Sequence, residues 1–271
     1  MLAVMIIVFR EVFEMAIVIC VIMAATKGLA HRSYWIFMGA IIGAIGAAVL
    51  GILLAGLSHQ IIGDGKLIFN AIILFFASLL IAWMVIWMKY HGRELTRHLK
   101  SIGQNAMTGE LPMRTLAVVA GLAVLREGSE VIIFLTGMQA TGDINLLQML
   151  GGSIIGILLG IITGVLMYFG LLRIPVNYLF KVTSTLLALI AAGMVANGVG
   201  KLIKAHLLPA LISPTWDTSS VLPQHSMLGR LLSVLIGYQQ RPEAIQLIFY
   251  LGFLLLMFLI IKWIVSLKKS V

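Results

Sequence analysis

Seven stretches of this chain are apolar over a length that matches a bilayer. They run over roughly 1–25, 35–57, 67–88, 115–140, 146–172, 178–199 and 244–267. A helix needs about 20 apolar residues to cross the hydrocarbon core, and backbone in lipid must satisfy its own hydrogen bonds. The expected fold is therefore an all-α integral membrane protein with seven transmembrane helices. Composition agrees: 61% of the 271 residues are hydrophobic and 11% are charged. A soluble domain of this length needs more charge on its surface. The net charge of +9 does not indicate nucleic-acid binding, because the basic residues punctuate apolar runs. Cys20 stands alone, so no intrachain disulfide forms. The first run lacks a basic leader and reads as a retained helix. The sixth is the least apolar, diluted by Lys181, Thr183, Ser184, Thr185 and Asn197.

Seven spans put the termini on opposite sides. Twelve Lys and Arg fall on one side: Lys27, Arg32, Lys89, Arg93, Arg97, Lys100, Arg114, Arg173, Lys181, Lys262, Lys268 and Lys269. Five fall on the other: Lys66, Lys201, Lys204, Arg230 and Arg241. The positive-inside bias predicts an external N-terminus and a cytoplasmic C-terminus. The basic 3–4 loop reads as an amphipathic cytoplasmic helix or a contact with lipid headgroups.

Two charged triplets interrupt the apolar runs. "FREVFEM" carries Arg10, Glu11 and Glu14, and "LREGSEV" carries Arg126, Glu127 and Glu130. Small residues also recur, every four positions: Gly39, Gly43, Ala47 and Gly51 in the second run, Gly152, Gly156, Gly160 and Gly164 in the fifth. The triplets are offset by 116 and the stripes by 113. The third and sixth runs match weakly, Phe69 with Phe180 and Ala77 with Ala188. Helices 1–3 and 4–6 thus read as two copies of one unit. Three spans is an odd number, so the second copy is inverted, as in many secondary transporters. The expected divisions are 1–100 for the first repeat, 101–200 for the second, and 201–271 for an outer loop and a last helix. The stripes let helices approach closely, the usual basis of association in lipid.

A charge at the bilayer centre costs roughly 2.5–3.5 kcal/mol on insertion scales. Six facing lipid would cost on the order of 15–20 kcal/mol, so they must line a shared interior. On a helix, Arg10 and Glu14 nearly align, and Glu11 and Glu14 share a face. The same holds for Arg126, Glu127 and Glu130. Four carboxylates and two guanidiniums sum to −2 when ionised, which favours a cation. Oxygen-only ligands suit hard cations such as ferric iron, manganese, magnesium and calcium, with ferrous iron less exclusively preferred. Close carboxylates repel, so metal entry is expected to displace protons. The plainer reading makes Arg10–Glu14 and Arg126–Glu130 structural ion pairs, but a surplus Glu in each copy argues against it.

"REVFE" and "REGSE" resemble the Arg-Glu-x-x-Glu motifs of the oxidase-dependent iron permeases. That family includes fungal high-affinity permeases and bacterial inner-membrane permeases of the Efe type. The segment 214–250 also resembles the bacterial branch, and the similarity covers nearly the whole chain. The resemblance implies uptake of iron across the cytoplasmic (inner) membrane. It implies that Glu11, Glu14, Glu127 and Glu130 carry iron, with Arg10 and Arg126 in support. It further implies delivery partners: a multicopper oxidase in fungi, and periplasmic cupredoxin-like and haem peroxidase proteins in bacteria. Alternatives are transport of another cation, such as lead or manganese, and a non-transporting metal sensor or receptor. No His-rich ligand set, haem-attachment motif or nucleotide fingerprint is present, so neither an enzyme nor a resident cofactor is expected.

Other polar residues are weaker candidates. His59 and Asp64 fall at the expected outer mouth, where they would attract a cation or simply face solvent. Asp217 and His225 lie in the long outer loop with Trp216. The fifteen methionines read as packing rather than soft-metal ligands. Asn70, Ser78, Gln139 and Asn197 either line the path or join helices by hydrogen bonds.

Overall fold

The computed structural model describes residues 1–29, 31–60, 64–107, 112–142, 144–169, 176–212, 214–224 and 226–267. Among them every regular element is a helix: α1 (Leu2–Ala25), α2 (Arg32–Gln60), α3 (Asp64–Met107), α4 (Arg114–Thr141), α5 (Leu146–Tyr168), α6 (Val176–Lys204), α7 (Met227–Ile236) and α8 (Ala244–Leu267). All six prolines fall outside these ranges, as expected for a residue that breaks the helical hydrogen-bond ladder. Gly142, left-handed at φ 88°, ends α4, and a capping box of Asn145 and Gln148 opens α5.

Two elements differ from the sequence expectation. The third helix does not stop near residue 88; its backbone stays helical for 44 residues. The long segment after α6 is not all loop, because it contains α7.

Five helices, α2, α3, α5, α6 and α8, are long and apolar enough to cross a membrane by length and composition. The 24-residue α1 and 28-residue α4 are also long enough. No 18-residue stretch of either avoids its charged triplet, and this alone sets them apart from the five. Large apolar side chains cover the outward faces of α2, α5 and α8, among them Ile41, Ile45, Ile52, Leu158, Leu251 and Phe258. That surface suits lipid rather than water.

The small-residue stripes form two seams. Along α2, Gly39 meets Ala117, Gly43 meets Gly121, Ala47 meets Gly128 and Gly51 meets Ile132 of α4. Along α5, Gly152 meets Met1, Gly156 meets Met5, Gly160 meets Val12 and Gly164 meets Ala16 of the α1 segment. Contacts advance in the same direction on both partners, so each pair is parallel. The two sets also correspond position by position, at offset 116 between α1 and α4 and 113 between α2 and α5. One difference is compensated: Val12 lies against Gly160 where its counterpart Gly128 lies against the larger Ala47. This accounts for Gly128 in "REGSE".

α6 is the most enclosed span, with every residue from Ile190 to Val195 buried. Its low apolarity follows, since a helix surrounded by protein needs no lipid-facing surface. α3 and α8 flank it.

Candidate metal centre

The two triplets face each other across α1 and α4, near the middle of both helices. Arg10 and Glu11 are fully buried, and Glu127 is 8% exposed. One carboxylate oxygen each from Glu11, Glu14 and Glu127 lie within 4.8 Å of one another. Among the described residues this is the one group of three or more acidic, His or Cys side chains placed to share an ion. Glu130 is not in the trio. It accepts a 3.2 Å hydrogen bond from Arg126 Nε, whose distance to Glu127 is 3.8 Å.

The arginines differ in surroundings. Arg10 approaches Glu14 at 2.9 Å and Glu11 at 3.6 Å, and donates to Met84 Sδ at 3.2 Å. Arg126 has a side chain 48% exposed and lies 5.1 Å over the Trp87 ring. Such a cation–π contact is worth about 0.5–1 kcal/mol at an exposed site. The cluster is therefore closed at the Arg10 end and open at the Arg126 end.

Its hydrogen bonding is incomplete. Both carboxyl oxygens of Glu11, one of Glu14 and one of Glu127 are buried without a hydrogen-bond partner. The Arg10–Glu14 contact is close but lacks hydrogen-bond alignment. Buried polar atoms are almost always paired, so these neighbouring carboxyl oxygens call for a proton or a cation between them. A hard cation would satisfy them, because the converging donors are all carboxylate oxygens.

A stability difference follows from the unequal burial. Arg10→Gln removes the counter-charge of a buried set, a change that costs about 3–5 kcal/mol where an uncompensated charge remains. Arg126→Gln should cost about 1 kcal/mol, since its pairs are partly exposed. Thermal unfolding in detergent should show the larger drop for Arg10→Gln.

The remaining sequence candidates lie elsewhere. The side chains of His59 and Asp64, and all of His225, lie outside the described residues. Asp217 is exposed in the loop before α7 and pairs with Arg241 at 2.8 Å. The hydrogen bond from Arg241 holds its carboxyl well below the usual carboxylate range. A depressed value means the pair contributes at neutral pH and is lost on strong acidification. Met84 carries no sequence signal for its contact with Arg10, because it is one apolar residue of an apolar helix. Trp87 carries no sequence signal for its stack on the motif arginine, since a tryptophan near the end of an apolar run is common at membrane interfaces.

Fold and site together define a multi-pass helical membrane protein whose interior holds a cluster of carboxylates. The sequence profile of the iron permease FTR1 family matches residues 1–269. The chain is 27% identical over 253 residues to the ferrous iron permease EfeU of Yersinia pestis, covering 92% of this chain and 89% of that one. Against the ferrous iron permease EfeU of Escherichia coli O6:K15:H31 it is 28% identical over 241 residues, with coverages of 88% and 86%. No solved structure matches. The chain belongs to the iron permease FTR1 family.

Proposed function

We propose that this permease moves iron across the cytoplasmic membrane into the cell through one site built by both Arg-Glu-x-x-Glu motifs. The convergence of Glu11, Glu14 and Glu127, with oxygens left unpaired in a buried interior, carries this reading. These three hold the ion. Glu130, bound to Arg126, is the fourth carboxylate and lies on the outer side of Glu127 along α4. Arg10 and Arg126 position the carboxylates and limit the site's net charge.

The architecture is an inverted repeat, 1–100 and 101–200, followed by the outer loop and α8 in 201–271. The seams support it. α1 runs parallel to α5 and α2 parallel to α4, while successive spans alternate in direction. α4 then runs opposite to α1, as inversion requires. Relative movement of the two halves would expose the site to each side in turn. The charge bias supports an external N-terminus and a cytoplasmic C-terminus, so Arg10 closes the outer side and Arg126 opens inward. Iron reaches the outer side from a periplasmic delivery or oxidase protein.

Radio-iron flux into proteoliposomes tests the function, with ferrous and ferric iron supplied separately and manganese and lead as competitors. Iron should enter in preference to both. Preferred entry of manganese or lead would reassign the cargo. Binding of iron without flux would make the chain a receptor.

A further inference from the structure

The ten-residue α7 packs one face, with Gly229 and Ser233 buried, against the bundle, while Leu228 and Ile236 stay exposed on the other. Gly237, which ends it at φ 70°, packs against Gly193 of α6. A Cβ on Gly193 would lie 2.7 Å from Gly237 Cα, and one on Gly237 would lie 2.4 Å from Gly193 Cα. Gly193 is eleven residues inside the end of α6, about 16 Å at 1.5 Å per residue. Tyr250, the neighbour of Gly237 on α8, is six residues inside that helix, about 9 Å. The chain thus enters the bundle along α7, turns at Gly237 and climbs back to α8.

Polar contacts hold this hairpin. Gln239 Nε2 donates to Asn197 Oδ1 at 3.2 Å. Tyr238 OH donates to Leu222 O at 2.8 Å, and Thr218 N donates to Gln240 O at 3.0 Å. Together they tie the rising limb to the loop above. The C-terminal end of α7, with its partial negative charge, points into the bundle, an orientation that favours cations.

Beneath the hairpin is a recess lined by Thr141, Asn197 and Ser233 together with Met138, Ile190, Gly193 and Met194. It has room for about one water molecule. Met138, Phe134 and Glu130 follow one another at four-residue steps along one face of α4. The recess is therefore about 12 Å from Glu130 along that helix, with fully buried Phe134 between them.

From this placement we propose that α7 and residues 237–239 form a re-entrant gate over the outer end of the iron path. The recess of Thr141, Asn197 and Ser233 is a transit site for a hydrated cation, shown here in its closed state. Neutral oxygens loosen the ion's water shell without binding it as firmly as carboxylates would. The Gly193–Gly237 crossing is the seat on which the gate closes, and the Gln239–Asn197 hydrogen bond latches it. The proposal rests on the carboxylate reading, since it supplies that site's entrance.

A reversible crosslink across the latch tests it. Asn197→Cys and Gln239→Cys are combined in a Cys20→Ser background and reconstituted into proteoliposomes. A short, reducible bis-thiosulfonate linker, which spans the reach of the Asn197–Gln239 side-chain contact where a direct disulfide would not, should join the two cysteines, lower radio-iron flux at least tenfold, and allow recovery on reduction. A verified crosslink with undiminished flux would overturn the gate, and failure of the crosslink to form would contradict the latch. A second readout uses Met138→Cys, at the wall of the recess. An impermeant thiol reagent should modify it at least tenfold faster when Gln239→Ala is added. Equal rates would count against the gate. Glu127→Gln is measured alongside: if it transports normally, the carboxylate reading has failed, whatever the crosslink does.

Discussion

Glu11→Gln and Glu127→Gln should each lower iron flux in proteoliposomes by about a hundredfold or more, while both proteins remain folded. Each substitution keeps the size of the side chain and removes one negative charge from the trio that converges within 4.8 Å. A hard cation in a buried site depends on anionic oxygen more than on shape. Removing one of three anionic ligands, where bulk water does not replace it, costs several times the roughly 1.4 kcal/mol that corresponds to a tenfold change. The two substitutions should be similar in effect despite lying 116 positions apart, because both ligands serve one ion. Glu130→Gln should be milder, near tenfold, since Glu130 stands outside the trio and bonds to Arg126. Flux measured per folded protein, with folding checked by gel filtration, separates loss of the site from loss of the protein.

Gly43→Val should prevent stable folding. A Cβ on Gly43 would lie 2.3 Å from the carbonyl oxygen of Gly121, and all three of its nearest neighbours are backbone atoms. No rotamer change relieves that overlap, so α2 and α4 must separate. Overpacking of this kind costs about 3 kcal/mol or more. The seam also loses the close contact that holds helices together in lipid. Gly156→Val should do comparable damage on the other seam, where a Cβ would lie 2.8 Å from the carbonyl oxygen of Met5. Gly252→Ala on α8 is the control: nothing lies within 4 Å of its Cβ position. That change should be neutral or stabilise by up to about 1 kcal/mol, through helix propensity alone. Thermal unfolding in detergent distinguishes the three.

What sequence reveals here depends on cost. Arg10, Glu11, Glu14 and their counterparts stand out because ionisable groups in an apolar run are expensive and therefore few. The seams stand out because a glycine every fourth residue marks one face of a helix. Which carboxylates converge is not legible, because small shifts along the helix axes decide it. Four glutamates look equivalent in the sequence; three share the centre and Glu130 turns to Arg126. The Trp87 stack on Arg126 is equally hidden, since a tryptophan near a helix end already has an interfacial explanation. α7 escapes sequence reading for a different reason. Ten residues cannot span a bilayer, and a short amphipathic stretch inside a long polar segment resembles surface structure. Only the Gly193–Gly237 crossing shows how deep it goes. Conversely, the low apolarity of the sixth run, which weakens it as a span, follows from its central position.

The most direct test of the central claim is the stoichiometry of iron binding. Equilibrium binding of labelled iron to purified wild type, Glu14→Gln and Glu127→Gln asks whether α1 and α4 build one site or two. One high-affinity iron per wild-type chain, lost in both variants, is the predicted result. Two irons in wild type with one retained in each variant would contradict a shared site, and so would undiminished binding in either variant.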